Sequence, residues 1–298
     1  MSRFKPTVFK GAATALITPF RNGAVDYEAF GSVIEEQIRR GVDGLVIAGT
    51  TGEGSTLSHE EHVEVLRYAV EKAEKRVPII AGTGSNDTDY AILLSRAAQD
   101  VGCDALLLVT PYYNKATPKG LILSFKAVAD ATKLPCILYH IPSRTGVTMT
   151  MPVYKELAKH ERIVGVKEAS GNFSLIAELA AECGDSYDIY SGNDDQIVPI
   201  LSLGGVGVIS VLSHLVPEDT HRMVMSYLEG NVSESCALQL KYIPLIKALF
   251  SEVNPIPVKT AMGLMGKCSG ELRLPLCEME DGTKAALVNV LRTYKLLK

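Results

Sequence analysis

Short runs that are apolar on both faces alternate with longer, helix-like segments through the first 210 residues. The runs are "AATALIT", "DGLVIAGT", "VPIIAGT", "DALLLVT", "PCILYHI", "RIVGVKE", "YDIYSGN" and "GVGVIS". Strands apolar on both sides belong in a parallel sheet covered by helices, so the pattern predicts eight βα units. The intervening segments carry helix signals of their own. "SHEEHVEVLRYAVEKAE" opens with Ser58 and Glu61 at capping-box spacing and continues in an apolar stripe of Leu66, Ala69, Val70 and Ala73. "PKGLILSFKAVADAT" begins with Pro118 in a first turn.

Eight units at this length predict a closed (β/α)8 TIM barrel of the α/β class. An open doubly wound sheet would call for a glycine-rich phosphate loop after the first strand, and none is present. After Ser210 only helical segments follow, around 217–229, 233–250, 256–266 and 282–297. Residues 1–212 are therefore expected to form the catalytic barrel, and 213–298 its last helix and a C-terminal helical extension.

Composition narrows the class. With 47% hydrophobic and 21% charged residues, the 298-residue chain can bury a large core. A net charge of -4, with 30 Lys and Arg spread along the chain, offers no basic field for nucleic acid. No apolar run is long enough for a membrane span and "MSRFKPTVFKG" lacks a signal-peptide core, so a cytoplasmic location is expected. Cys103, Cys136, Cys183, Cys236, Cys268 and Cys277 form no CxxC pair and read as reduced, mostly buried thiols.

The C-terminal strand ends of a βα barrel converge on one face, which hosts the chemistry. Here they carry Thr50 and Thr51 in "GTTGEG", Tyr112 and Tyr113 in "TPYYN", Tyr139 and Arg144 in "LYHIPSRTG", Lys167 in "GVKEASG", and "SGND". A lysine at a strand end ordinarily snorkels into water, but a purely structural rim would favour Asp, Asn, Ser and Gly over tyrosines and a lysine. By alternation Lys167 shares a face with Gly165, which leaves room beside it, and points away from the face of Val166 and Glu168. An amine facing a barrel interior is desolvated, which favours its neutral, nucleophilic form and suits Schiff-base chemistry on a 2-oxo acid. The glycines around Thr50 and Thr51 allow backbone N–H groups to face an anion, where the plain alternative is a tight turn.

"GTTGEGSTLS", "TPYYNK", "YHIPSRTG", "GVKEASG" and "SGNDD", in this order, closely resemble the dihydrodipicolinate synthase family of pyruvate-dependent class I lyases. The likeness covers the whole chain. It implies condensation of pyruvate with L-aspartate 4-semialdehyde to 4-hydroxy-tetrahydrodipicolinate, the first step of the diaminopimelate branch of lysine biosynthesis, with no cofactor beyond the covalent Schiff base. By the resemblance Lys167 carries the Schiff base, Tyr139 relays protons, and Thr50 links Tyr139 to a Tyr113 that enters from a neighbouring subunit. Thr51, Gly192 and Ile209 join the substrate-binding set, and Arg144 holds the carboxylate of the semialdehyde. The resemblance further implies a homo-oligomer, a tetramer built as a dimer of dimers.

Some family members bind lysine as a feedback inhibitor at residues matching His59, His62, Asn86 and Tyr112 with a glutamate, and Tyr90 stands where that glutamate is expected. Ala116 and His140 are further departures, from a usual proline and asparagine. His140 should point away from the face of Tyr139, with little effect on the chemistry. His59 and His62, at i, i+3 with no third ligand, read as a solvated helix face rather than a metal site. "GLMGKCSG" follows no strand and lacks a P-loop's leading glycine. The rivals are another pyruvate-type aldolase, such as N-acetylneuraminate lyase or a 2-keto-3-deoxy sugar acid aldolase, and a retired enzyme that only binds. "PSRTG" argues against the first, because Arg144 suits a short dicarboxylate-like product; the intact residue set argues against the second.

Overall fold

The computed structural model describes residues 5–298. Eight parallel strands close into a barrel: β1 (Gly11–Ala15), β2 (Gly44–Ile47), β3 (Ile79–Gly82), β4 (Ala105–Val109), β5 (Cys136–His140), β6 (Ile163–Glu168), β7 (Asp188–Ser191) and β8 (Gly207–Ser210). Closure comes from β1 pairing with β8, in register Ala13 to Ile209. All eight expected runs are strands. The sequence pattern gave no sign of a two-stranded hairpin, Phe20–Arg21 with Ala24–Val25, that follows β1.

Helices α1 (Tyr27–Arg39), α2 (His59–Ala73), α3 (Thr88–Asp100), α4 (Pro118–Asp130), α5 (Met151–Ala158), α6 (Phe173–Cys183), α7 (Ile197–Ser202) and α8 (Pro217–Leu228) follow the strands in turn. α9 (Val232–Leu249), α10 (Ile256–Leu264) and α11 (Asp281–Thr293) come after them. The start of α2 is fixed as its sequence requires: Ser58 accepts from the Glu61 N–H, and Glu61 accepts in return from the Ser58 N–H. Of its expected stripe, Leu66, Ala69 and Ala73 are buried and Val70 is half-buried. Thr117 caps α4, with Pro118 in the first turn. Among the described residues no helix is long and apolar enough to cross a membrane.

Alternation sorts the strand residues into two cores. Ala13, Val46, Ile80, Leu107, Ile137 and Ile209 point into the barrel, whereas Leu45, Leu106, Leu138, Val166 and Val208 face the helices. Phe9 plugs the N-terminal end. Its ring stacks on Tyr190 with centroids 4.4 Å apart, and its carbonyl accepts from the Tyr190 hydroxyl at 2.9 Å. With that end filled, open volume remains at the C-terminal end.

His140 lies on the helix-facing side of β5, as alternation requires. The Met149 N–H donates to its Nε2 at 3.1 Å, so Nδ1 carries the proton and donates to Glu168 at 3.0 Å. The Tyr154 hydroxyl and the Ser170 N–H also donate to Glu168, at 3.0 and 2.7 Å. Burial pushes the Glu168 carboxyl up, but His140 and the Ser170 bonds outweigh it and hold the group below its ordinary value. This anchored carboxylate braces the wall behind Tyr139 and Lys167.

Candidate active site

Lys167 is the penultimate residue of a six-residue strand buried throughout, and its side chain faces the barrel interior. It pairs in register with Tyr139 on β5, which places two inward side chains next to each other. The ammonium nitrogen sits 4.3 Å from the centre of the Tyr139 ring, and the residue is 6% exposed. Burial lowers its pKa to about 7, against a rise from the Asp194 carboxylate and with a further decrease from Arg144. Near pH 7 about half of such an amine is neutral, against roughly 4 in 10,000 for an ordinary lysine. The neutral amine is the form that can add to a carbonyl carbon.

Beside Lys167, Tyr139 is a phenol that holds its proton. Burial pushes its phenol up to about 12, opposed by the Arg144 charge and a hydrogen bond with Thr50, so it carries its proton across the physiological range. The turn after β2 supplies Thr50 and Thr51. The Glu53 N–H closes it on the Thr50 carbonyl at 3.1 Å, and the Gly54 N–H donates to Gly49 at 3.2 Å. A side chain on Gly54 would meet the Ala48 carbonyl at 2.1 Å, so only glycine permits this approach. Ala48 and Glu53 both adopt left-handed φ, 55° and 52°, a strained conformation that packing must enforce.

Arg144 stands on a one-turn helix, Pro142–Thr145, which opens on proline and closes on Gly146 at φ 66°. Its Nη2 donates to the Asn254 carbonyl at 2.9 Å, while the Asn254 side-chain amide donates to Thr51 Oγ1 at 2.9 Å. One residue from the C-terminal segment thus ties together both candidate carboxylate binders.

Thr50, Thr51, Tyr139, Arg144, Lys167 and Gly192 line one cavity of ≈ 380 Å³, as do Tyr112 and His62. That volume suits two small substrates. Gly192 is a glycine for a reason of space: a Cβ there would lie 2.7 Å from Ala169 Cβ and 3.2 Å from Lys167 Cε. The remaining candidates lie elsewhere. Ile209 is buried in the barrel interior and does not line the cavity. Tyr113 is 90% exposed at φ 68°, outside the cavity of its own chain. Asn86 is half-buried, and its carbonyl accepts from Asn114 at 3.0 Å. His59 packs its ring on Tyr90, centroids 6.0 Å apart.

Three expectations are corrected. His62 is not on a solvated face: it is buried, bonded through Nε2 to the Gly82 carbonyl at 3.0 Å, and burial drives its pKa down to about 4. His59 is only half-buried against Tyr90, so it is not freely solvated either. The space over Gly165 is not left for Lys167, because the Asp188 carbonyl and the Tyr190 ring occupy it, 3.0 and 3.2 Å from a Cβ built there. Only Cys103, Cys136 and Cys183 of the six free cysteines are buried.

Sequence reasoning also missed Asp194, which is fully buried and accepts from the Val211 and Leu212 N–H groups at 3.0 and 2.9 Å. Burial raises its pKa as it lowers that of Lys167, so the low-dielectric interior pushes both toward neutrality. "SGNDD" was visible as a strand end, but nothing local marked which of its acids turns inward.

The profile of the Dihydrodipicolinate synthetase family matches residues 8–294. The chain belongs to that family. The 4-hydroxy-tetrahydrodipicolinate synthase of Lachnoclostridium phytofermentans is 53% identical over 292 residues, covering 97% of this chain and 99% of that protein. The crystal structure of dihydrodipicolinate synthase from Aquifex aeolicus superposes with a TM-score of 0.95 at 42% identity, over 97% of this chain and 99% of its own. That of the Thermotoga maritima enzyme gives 0.95 at 37% identity, over 98% and 100%. The cavity combines a buried amine, a phenol hydrogen-bonded to a threonine, and a guanidinium.

Proposed function

We propose that the chain condenses pyruvate with L-aspartate 4-semialdehyde to 4-hydroxy-tetrahydrodipicolinate, through a Schiff base on Lys167 and with no other cofactor. The observation that carries this reading is the buried, partly neutral amine of Lys167 facing the Tyr139 ring at 4.3 Å inside one cavity. The neutral amine adds to the ketone carbon of pyruvate, Tyr139 donates a proton to the departing oxygen, and water leaves. The protonated imine withdraws electrons, so the methyl group loses a proton and the resulting enamine attacks the aldehyde. The substrate's own amino group then displaces Lys167 and closes the ring. Thr51 and the turn around it hold the pyruvate carboxylate, Arg144 holds that of the semialdehyde, and Gly192 leaves Lys167 its space.

Thr50 is solvent-exposed in the single chain, and Tyr113 projects from it. Both facts support a shared site in which Tyr113 of a second copy extends the Tyr139–Thr50 relay outward. We place the enzyme in the cytoplasm as a homotetramer, a dimer of dimers. Pyruvate plus aspartate semialdehyde, coupled to the NADPH-dependent reductase of the next step, should give turnover. Cleavage of a sugar acid in its place would move the assignment to a related aldolase.

Arg144→Ala should still trap pyruvate, since Arg144 touches only the second substrate. Its kcat/KM for the semialdehyde should fall by roughly 2 to 4 kcal/mol of transition-state binding. Steady-state kinetics beside borohydride trapping separates the two, and equal loss of trapping would make Arg144 a scaffold residue.

Feedback by lysine should be weak or absent. Tyr90 puts a phenol against His59 where a carboxylate would be needed to capture the effector's ammonium. Initial rates across a lysine titration check this, and inhibition at micromolar lysine would contradict it.

A further inference from the structure

Glu53 sits two residues beyond Thr51, in the turn assigned above to the pyruvate carboxylate, and lines the same cavity, yet both of its carboxylate oxygens are engaged by the C-terminal segment. It is 2% exposed and meets Lys259, 0% exposed, at 2.5 Å across 206 residues of chain. The Lys259 ammonium is fully used: it also donates to the Glu271 carbonyl at 2.7 Å and rests 4.1 Å from the Phe20 ring centre. The second Glu53 oxygen accepts from the Arg273 N–H at 3.1 Å. The Arg273 guanidinium continues the lock, with a forked pair to Glu61 at 2.6 and 2.7 Å and a bond to the Thr56 carbonyl at 2.9 Å.

A buried ion pair gains little stability over apolar residues of the same volume. What it does supply is a fixed position, and Glu53 needs one. Its φ of 52° is unfavourable for a residue with a side chain, and its N–H closes the turn on the Thr50 carbonyl. If the Glu53 side chain were free to relax, the turn carrying Thr50 and Thr51 would relax with it.

We propose that Lys259 and Glu53 are positioning residues: their buried pair, braced by Arg273, lets the C-terminal helical segment hold the anion-binding turn in its strained, substrate-ready shape. The proposal rests on the reading of that turn as the pyruvate carboxylate site. It assigns a catalytic-support task to a segment that lies outside the barrel sheet.

Condensation by a Schiff-base enzyme is a two-stage process, so kcat/KM for pyruvate and for the semialdehyde report separate half-reactions. In the full-length enzyme, Lys259→Met should lower kcat/KM for pyruvate tenfold or more while changing that for the semialdehyde less than threefold. Rates are taken per site titrated with borohydride and pyruvate. Glu53→Gln, which keeps the side chain's shape, should show the same selective loss to a smaller degree, and it carries the test should Lys259→Met fail to fold. Parallel loss in both half-reactions, or no loss in either, would overturn the proposal. Thr51→Val serves as the reference: a selective loss there but none in the pair variants places the fault in this inference. No loss in Thr51→Val places it in the assignment of the turn, and the inference falls with it.

Discussion

Lys167→Ala should lose turnover by about 10^4-fold or more, the scale on which removal of a covalent nucleophile is felt. No substitute is at hand, because the other buried lysine near the cavity, Lys259, is committed to Glu53 and the Glu271 carbonyl. The loss should appear in both half-reactions, since the same amine forms the imine and is later displaced. Thermal melting should show a protein at least as stable as the parent. The native site depresses the Lys167 pKa from 10.5 to about 7, so at neutral pH the unfolded chain holds more proton than the folded one. Such a group costs stability below its unfolded pKa, and removing it relieves that cost. A folded variant that retains turnover would remove Lys167 from the mechanism.

Tyr113→Phe should reduce activity by roughly 100-fold or more, the contribution of a proton-relay group. Within one chain this is unexpected, since Tyr113 is 90% exposed and outside the cavity. The shared-site reading makes a sharper forecast for mixtures. A Lys167→Ala subunit still donates an intact tyrosine, and a Tyr113→Phe subunit still owns an intact lysine. Unfolding the two together and refolding them should pair unlike subunits, giving one site with both defects and one with neither. Activity should rise well above either parent, toward half the wild-type value per mixed dimer. Mixtures with confirmed subunit exchange that show only the average of the parents would place Tyr113 outside the neighbour's site.

The barrel was legible because each strand is buried on both faces, which writes an unbroken apolar run into the sequence. Period-two alternation also set Lys167 on the face opposite Val166 and Glu168, and His140 on the face opposite Tyr139, before any partner was known. The hairpin at Phe20–Arg21 was not legible, since two-residue strands have no period to read. Nor was the support around the turn. Asn254 reaches Thr51 across 203 residues and Lys259 reaches Glu53 across 206, and contacts at that separation leave no local pattern. His62 was misread for a related reason. In "SHEEH" the acids that cap and charge the helix start make the whole stretch look solvated, while His62 falls on the buried stripe of Val65, Leu66 and Ala69 and meets the Gly82 carbonyl. Gly165 was misread because alternation gives the face of a side chain but not which neighbour fills the space beside it.

Borohydride reduction in the presence of pyruvate, followed by peptide mapping at a series of pH values, tests the central claim most directly. Below pH 7 the Lys167 amine is protonated and inert; above it the neutral form dominates, so the trapping rate should climb through a midpoint near its pKa of about 7. A single three-carbon adduct on the peptide carrying Lys167, with that pH profile, is the predicted result. An adduct on another lysine, or none at any pH, would contradict the Schiff-base mechanism at the sixth strand.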